Sequence, residues 1–220
     1  MSNDKFPIDP QGRSAERTLD LLSAVSEDET ISQRKLAARL GIALGLTNAV
    51  LKRCIRKGFL KIRQVPARRY TYYLTPKGFA EKSRLTAEYL SDSLQFYRQA
   101  RQEYAEIFAY CRTRGWDRVA VVGATDLAEI ASLARNGDEV DIVAILDPGR
   151  NEPAFFDIPV VQSLEGLSTE SRPNAVIIAD LDDPQAAYEK LCAFFPPDRV
   201  LAPPLMRLYK ADTEGGQIEE

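Results

Sequence analysis

The period of the hydrophobic pattern changes at Arg114-Gly115, and that change divides the chain into two kinds of structure. Upstream, apolar residues recur every three to four positions, as on helices that bury one face. Downstream they come as short unbroken runs, Val119 to Val122, Ile142 to Leu146, Ile158 to Val161 and Ala175 to Ala179, with a last short strand at Arg199 to Leu201. Helical patterns at Asp126 to Arg135 and Pro184 to Phe195 lie between these runs. Strands that are apolar on both sides, joined by helical crossovers, predict a parallel sheet covered on both faces.

The upstream half has a more local grammar. Residues 1 to 13 are polar and broken by Pro7, Pro10 and Gly12, which predicts a mobile arm. A first helix follows, with Leu19, Leu21, Leu22 and Val25 as its apolar positions. Ser32 offers an N-cap oxygen to a short helix, Gln33 to Leu40, that buries Leu36, Ala37 and Leu40. Gly41 ends it, because only glycine enters the left-handed cap conformation without cost. A second helix from Leu44 to Lys57 turns Thr47, Val50, Leu51, Cys54 and Ile55 inward, with Gly58 as its cap. Two short strands, Phe59 to Gln64 and Tyr70 to Leu74, flank the turn Val65-Pro66-Ala67-Arg68-Arg69. Pro76 then opens a helix that runs to about Arg112. Helix, glycine turn, helix and basic two-stranded ribbon make a winged helix-turn-helix.

Charge points the same way. The whole chain carries a net charge of -3, but residues 1 to 110 hold 19 Lys and Arg against 12 Asp and Glu, and residues 111 to 220 hold 10 against 20. Residues 31 to 84 hold 14 basic side chains and one acid, Glu81. A basic segment laid over a winged helix predicts a surface for double-stranded DNA. The second helix suits the major groove, which admits a helix. Asn48 is the expected base reader, since a carboxamide can donate to and accept from one adenine edge. Ala43 and Leu44 are placed to touch thymine methyls. Lys52 lies on the same groove-facing side, and Arg34, Lys35, Arg53, Lys57, Lys61 and Arg63 are expected to meet phosphates. Arg68 and Arg69 at the wing tip would enter a minor groove or meet its phosphates.

This order of elements resembles the MarR-type regulators, and most of all the small MarR-like regulators associated with exopolysaccharide gene clusters. The resemblance covers about 30 to 100. Its carriers are Ile31-Ser32-Gln33-Arg34-Lys35-Leu36-Ala37, Leu40-Gly41-Ile42, Leu44-Gly45, Asn48, Leu51-Lys52, Lys57-Gly58, Leu74-Thr75-Pro76-Lys77-Gly78 and Glu81 to Thr86. It implies a transcriptional regulator that binds operator DNA as a homodimer. Ala43 departs from the serine that such regulators often carry before the recognition helix. The long helix has an apolar 4-3 seam of its own, Leu90, Leu94, Tyr97, Tyr104, Phe108 and Cys111, interrupted by Arg101. Such a seam wants a partner, either a second copy or the C-terminal domain.

In the acidic half, Val119-Ala120-Val121-Val122-Gly123-Ala124-Thr125-Asp126 resembles the first strand and turn of a Rossmann-like domain. Asp147 ends the second strand, where a ribose-binding acid would stand. The segments Phe156 to Val161 and Leu164 to Leu167 resemble the nucleotide- or CoA-binding region of sugar-modifying enzymes. Two uses of this half stay open: a Rossmann-like scaffold kept for packing or protein contacts, or a site for a small effector, such as a nucleotide or a nucleotide sugar, near Gly123, Ala124, Thr125 and Asp147. Thr125 stands where a dinucleotide site needs glycine, and Asp126 and Glu129 would repel a pyrophosphate.

The fold class so read is α/β overall: an N-terminal winged helix-turn-helix, a long linking helix and a C-terminal Rossmann-like parallel sheet. The expected boundaries are 1–13 arm, 14–78 winged helix, 79–113 linking helix, 114–210 Rossmann-like domain and 211–220 tail.

Composition trims the function classes. With no histidine, Ser-His-Asp and Cys-His catalysis are excluded, and the commonest zinc ligand is missing. Cys54, Cys111 and Cys192 are scattered and sit among apolar neighbours, as reduced buried thiols do. Neither a bilayer-spanning run nor a signal-peptide core is visible, so no membrane partner and a cytoplasmic location are expected. No catalytic residues, metal site or certain cofactor are expected. The competing reading is a nucleotide-sugar- or CoA-related enzyme, or an adaptor, with an accessory DNA-binding domain. Its acids would be Asp180, Asp182 and Asp183 after the fourth strand, which serve as well for loop and N-cap chemistry.

Overall fold

A computed structural model describes residues 10–65, 69–135, 140–163 and 172–209. The chain forms two compact units, Met1–Leu94 and Gln95–Glu220, divided within its longest helix.

The first unit begins with α1 (Pro10–Glu27), α2 (Gln33–Leu40) and α3 (Leu44–Arg56). Helix α1 starts earlier than the arm-and-helix reading predicts: Pro10 fits a first helical position, where its missing N–H costs no bond. Ser32 Oγ accepts from the Lys35 N–H at 3.3 Å and caps α2. Gly41, at φ 64°, closes it, and the Ile42 N–H returns to the Ala37 carbonyl. Arg39 donates to Glu27, tying α2 to α1 and holding the Glu27 carboxyl below its usual range. Strands β1 (Leu60–Val65) and β2 (Arg69–Leu74) pair antiparallel from Leu60↔Leu74 to Val65↔Arg69. Leu21, Leu22, Val25, Leu36, Val50, Leu51, Cys54, Leu60 and Tyr72 form one buried core beneath the three helices and this ribbon.

Helix α4 (Pro76–Thr113) is capped by Thr75, whose Oγ1 accepts from the Gly78 N–H at 3.0 Å and donates to the Gly58 carbonyl at 2.6 Å. Gly78 lies against the Phe59 carbonyl so closely that a Cβ there would sit 2.0 Å from the oxygen. The glycine therefore seats the start of α4 on the turn between α3 and the wing.

In the second unit the sheet order is β5-β6-β4-β3-β7-β8. Its strands are β3 (Arg118–Val122), β4 (Asp141–Leu146), β5 (Ala154–Phe155), β6 (Ile158–Val161), β7 (Ala175–Ile178) and β8 (Val200–Leu201). Every pairing is parallel except β5 with β6. One sheet face carries Val119, Val121, Ile145 and Ile177 against α5 (Asp126–Ala134) and the second half of α4, through Ala100, Tyr104, Phe108 and Cys111. The other carries Ala120, Val122, Val176 and Ile178 against α6 (Pro184–Leu191), through Tyr188 and Leu191. Burial on both faces is what the unbroken apolar runs demand. Helix α6 stops at Leu191, short of the Phe195 its pattern allows. Pro196 and Pro197 follow, and a residue before proline is pushed out of the helical region.

The apolar seam of α4 is split between two fates. Tyr104, Phe108 and Cys111 are buried in the second unit's core, and the Tyr104 hydroxyl donates to the Ile178 carbonyl at 3.0 Å. Leu90 and Leu94 remain 54% and 52% exposed, and Tyr97 is exposed as well.

Candidate nucleic-acid interface

Helix α3 packs one face inward through Thr47, Val50, Leu51 and Cys54. Helical spacing then fixes what is left outside. Gly45, Ala49, Lys52 and Arg56, at intervals of four, three and four, form one exposed stripe. The stripe is small at its N-terminal end and basic at its C-terminal end. A Cβ at Gly45 would meet nothing within 4 Å, so no packing inside the protein requires glycine there. Ala43 gives α3 no side-chain cap; the helix starts with the Thr47 N–H on the Ala43 carbonyl at 3.0 Å. Thr47 is fully buried and its hydroxyl returns to the same carbonyl at 3.2 Å, so it serves packing.

The residues singled out in the sequence separate into three groups. Arg34, Lys35, Ala43, Leu44, Lys52, Lys57, Lys61 and Arg63 are exposed. Lys57 also lies over the Phe59 ring, 5.7 Å from its centroid. Asn48 and Arg53 are half-buried. Arg53 is turned inward: its guanidinium donates to Ser14 Oγ at 2.8 Å and to Thr18 Oγ1 at 3.0 Å, lacing α3 to α1. That differs from the expected phosphate contact, because a long side chain near a helix–helix crossing finds acceptors closer than DNA. Asn48 Oδ1 is buried with no hydrogen-bond partner among the described residues. A bidentate adenine contact needs both ends of the carboxamide at the base edge, so Asn48 must rotate out to make it. Arg68 lies outside the described residues, and Arg69 is placed only by its backbone, opposite Val65. Arg56, Gly45 and Ala49 are not among the contact residues that the sequence predicts, although the inward set of α3 implies the opposite stripe.

Burial pushes the Cys54 and Cys111 thiols up to about 11, so neither is a thiolate near neutral pH.

At the carboxyl edge of the second unit's sheet, the expected effector residues bond to one another. Asp147 Oδ2 accepts from the Ala124 N–H at 3.0 Å and Oδ1 from the Gly149 N–H at 2.9 Å. Thr125 Oγ1 donates to the Ala179 carbonyl at 2.6 Å and caps α5 by accepting from the Leu127 N–H. Arg150 Nη1 donates to the Ala124 carbonyl at 2.9 Å. Gly123, at φ 95°, lies against Asp180, where a Cβ would come within 2.8 Å of its Cα. The amides that a Rossmann turn normally offers to a phosphate are partly satisfied here by a carboxylate of the same chain. Among the described residues no group of three or more acids or cysteines is placed to hold a metal ion. No helix among them is long and apolar enough to cross a membrane.

Residues 15–61 match the family model described as winged helix-turn-helix DNA-binding, which spans less than a quarter of the chain. No curated protein sequence matches the chain. Among solved structures it is similar to a MarR family transcription regulator, at 22% identity over 40% of this chain and 63% of that one, with a TM-score of 0.35. It is similar also to MepR, a transcription regulator of the Staphylococcus aureus multidrug efflux pump MepA, at 21% identity over 39% and 63%, with a TM-score of 0.34. In both cases less than two thirds of the other chain's length is spanned. A longer alignment, 92% of this chain and 81% of the other, joins it to human N-acetylserotonin methyltransferase in complex with SAM, at 13% identity and a TM-score of 0.30. The family match is confined to the N-terminal module, where residues 15–61 take in most of α1, all of α2 and α3, and the start of β1.

Proposed function

We propose that this protein is a sequence-specific transcriptional regulator that reads duplex DNA with α3 in the major groove and the β1–β2 wing on the flanking backbone. The observation that carries the reading is the exposed stripe Gly45, Ala49, Lys52 and Arg56, set within a segment of 14 basic residues and one acid. Small residues at the leading end of a recognition helix let its backbone approach base edges, and basic residues at the trailing end meet phosphates. Leu44 and Ala43 offer methyl contacts, and Asn48 reads a base once it rotates outward. Arg34, Lys35, Lys57, Lys61 and Arg63 contribute backbone contacts, with Arg68 and Arg69 at the wing tip. The protein acts as a homodimer, supported by the exposed Leu90, Leu94 and Tyr97 of α4, so that two α3 helices read half-sites about one helical turn apart. The second unit senses a small effector. The resemblance of residues 30 to 100 to exopolysaccharide-associated regulators extends the reading to polysaccharide-related target genes.

The test is titration of the full-length protein against genomic fragments at about 0.15 M salt, followed by footprinting of retained fragments. The expected result is a protected site with two-fold symmetric halves. Uniform weak binding to all fragments, with no footprint, refutes the proposal.

A further inference from the structure

The second unit holds a pocket on the sheet face that α6 covers, with a volume of about 460 Å³. That lies within the range of roughly 300 to 1,000 Å³ usual for small-molecule sites. Val122 and Leu146, the last residues of β3 and β4, line it together with Asp180, which follows β7. Between β3 and β7 the strand order reverses, since the chain leaves β3 toward β4 and β6 and returns to β7 on the other side. Open parallel sheets take ligands at such a reversal, at the carboxyl ends of the strands.

The pocket differs from the glycine-turn site in what it leaves available. At the turn, Asp147, Thr125 and Arg150 bond the local amides, hydroxyl and carbonyl to one another. In the α6-side pocket the lining is mostly apolar, from Val122, Leu146, Leu191 and Phe194. Phe194 is 73% exposed, so a flat apolar ligand seated against it removes aromatic surface from water. The charged groups of the lining are Asp180, Asp183 and Lys190, two acids against one base. Asp180 Oδ1 is held by the Asp182 N–H at 2.7 Å, and Asp183 Oδ1 caps α6 on the Ala186 N–H at 3.1 Å, so one oxygen of each lining carboxylate is held by a backbone amide. The described residues from 95 to 209 contain 11 Lys and Arg and 14 Asp and Glu, and the lining itself has one acid more than it has bases. That balance favours a protonated amine over a phosphate-bearing ligand.

We propose that this pocket binds a small organic cation, an apolar ring carrying a protonated amine, with the amine held by Asp180 and the ring against Leu146, Leu191 and Phe194. Its role as an effector site rests on the regulatory reading above; its ligand binding does not.

The test is calorimetric titration of the full-length protein, without DNA, using two probes with one ring and opposite charge, tryptamine and indole-3-acetate. Tryptamine is expected to bind with a Kd on the order of 0.1 mM, and indole-3-acetate at least about tenfold more weakly. Asp180→Asn keeps the turn to the Asp182 N–H and removes the charge, and is expected to weaken tryptamine about tenfold. Ala186→Trp fills the pocket from α6 and is expected to abolish binding of both probes. Equal affinity for the two probes, no heat with tryptamine, or undiminished tryptamine binding by Asp180→Asn would each overturn the proposal. Should Ala186→Trp fail to fold, Asp180→Asn and the probe pair still decide the matter. DNA binding measured on the same preparation reports separately on the first unit.

Discussion

Replacing Lys61 and Arg63 together by glutamine tests whether the wing lies on DNA backbone. Both side chains are exposed, and they alternate with Ile62 on β1, so they project from one side of the ribbon. Each phosphate neutralised adds about 0.9 to the slope of log K against log salt, so two side chains in each of two protomers contribute about 3.6. From a reference of about 1 M down to about 0.15 M salt, that slope amounts to roughly 3 decades of affinity. A single bound protomer would lose a slope of about 1.8 and an affinity of about 30-fold. The measurement is fluorescence anisotropy with a footprinted duplex at five or six salt concentrations. Circular dichroism melting serves as the control, where exposed substitutions of this kind move stability by no more than about 0.5 kcal/mol. A slope unchanged from the parent protein, with binding intact, refutes the placement of the wing on phosphates.

Three other outcomes are expected. Gly45→Ala should stabilise the free protein by about 0.5 to 1 kcal/mol in thermal unfolding, because the added methyl meets open space, yet weaken binding to the preferred duplex; a gain in both would remove the close-approach argument. Tyr104→Phe deletes the buried hydrogen bond to the Ile178 carbonyl and should cost about 1 to 2 kcal/mol in chemical denaturation, with duplex binding by the first unit unchanged. A thiol reagent at pH 8 should label half-exposed Cys192 first and reach Cys54 and Cys111 only on unfolding; fast labelling of all three would contradict their burial.

Where a structural signal is local, the sequence carried it. Ser32 and Gly41 bound α2 at Gln33–Leu40 because capping is decided within a few residues. The strands β3, β4 and β7 were legible because both their faces are buried, which leaves no polar alternation to confuse with a surface strand. The misses are tertiary or chemically atypical. Strand β5 has only two residues, and its turn to β6 runs through Phe156 and Asp157 at φ 49° and 63°, positions where glycine or asparagine is the usual signal. Arg53 looked like every other basic residue of α3 until Ser14 and Thr18 were seen beside it. The seam of α4 could not show that Tyr104 and Phe108 serve a core while Leu90 and Leu94 do not, since one helical repeat suits either use. For Asp147 the sequence shows a carboxylate at the end of β4, but not that its two oxygens accept from the Ala124 amide, in the turn after β3, and from the Gly149 amide two residues on.

If this chain of net charge -3 binds DNA as proposed, it has to do so by segregating its charges, and screening lengths say how well segregation works. At physiological salt the Debye length is about 8 Å, so phosphates within contact of Lys52, Arg56, Lys61 and Arg63 feel those cations almost undiluted, while acids farther off are largely screened. At about 0.01 M salt the length rises to about 30 Å, so acidic charge anywhere in the chain is screened far less than at physiological salt. Affinity therefore should not keep rising on the same slope as salt is removed; the line should flatten at the low end. The same repulsion acts on every sequence equally, whereas base-edge contacts act on few. On the proposed reading, that repulsion would lower specific and non-specific affinity by the same factor, so discrimination between sequences would rest on base-edge contacts from α3 alone.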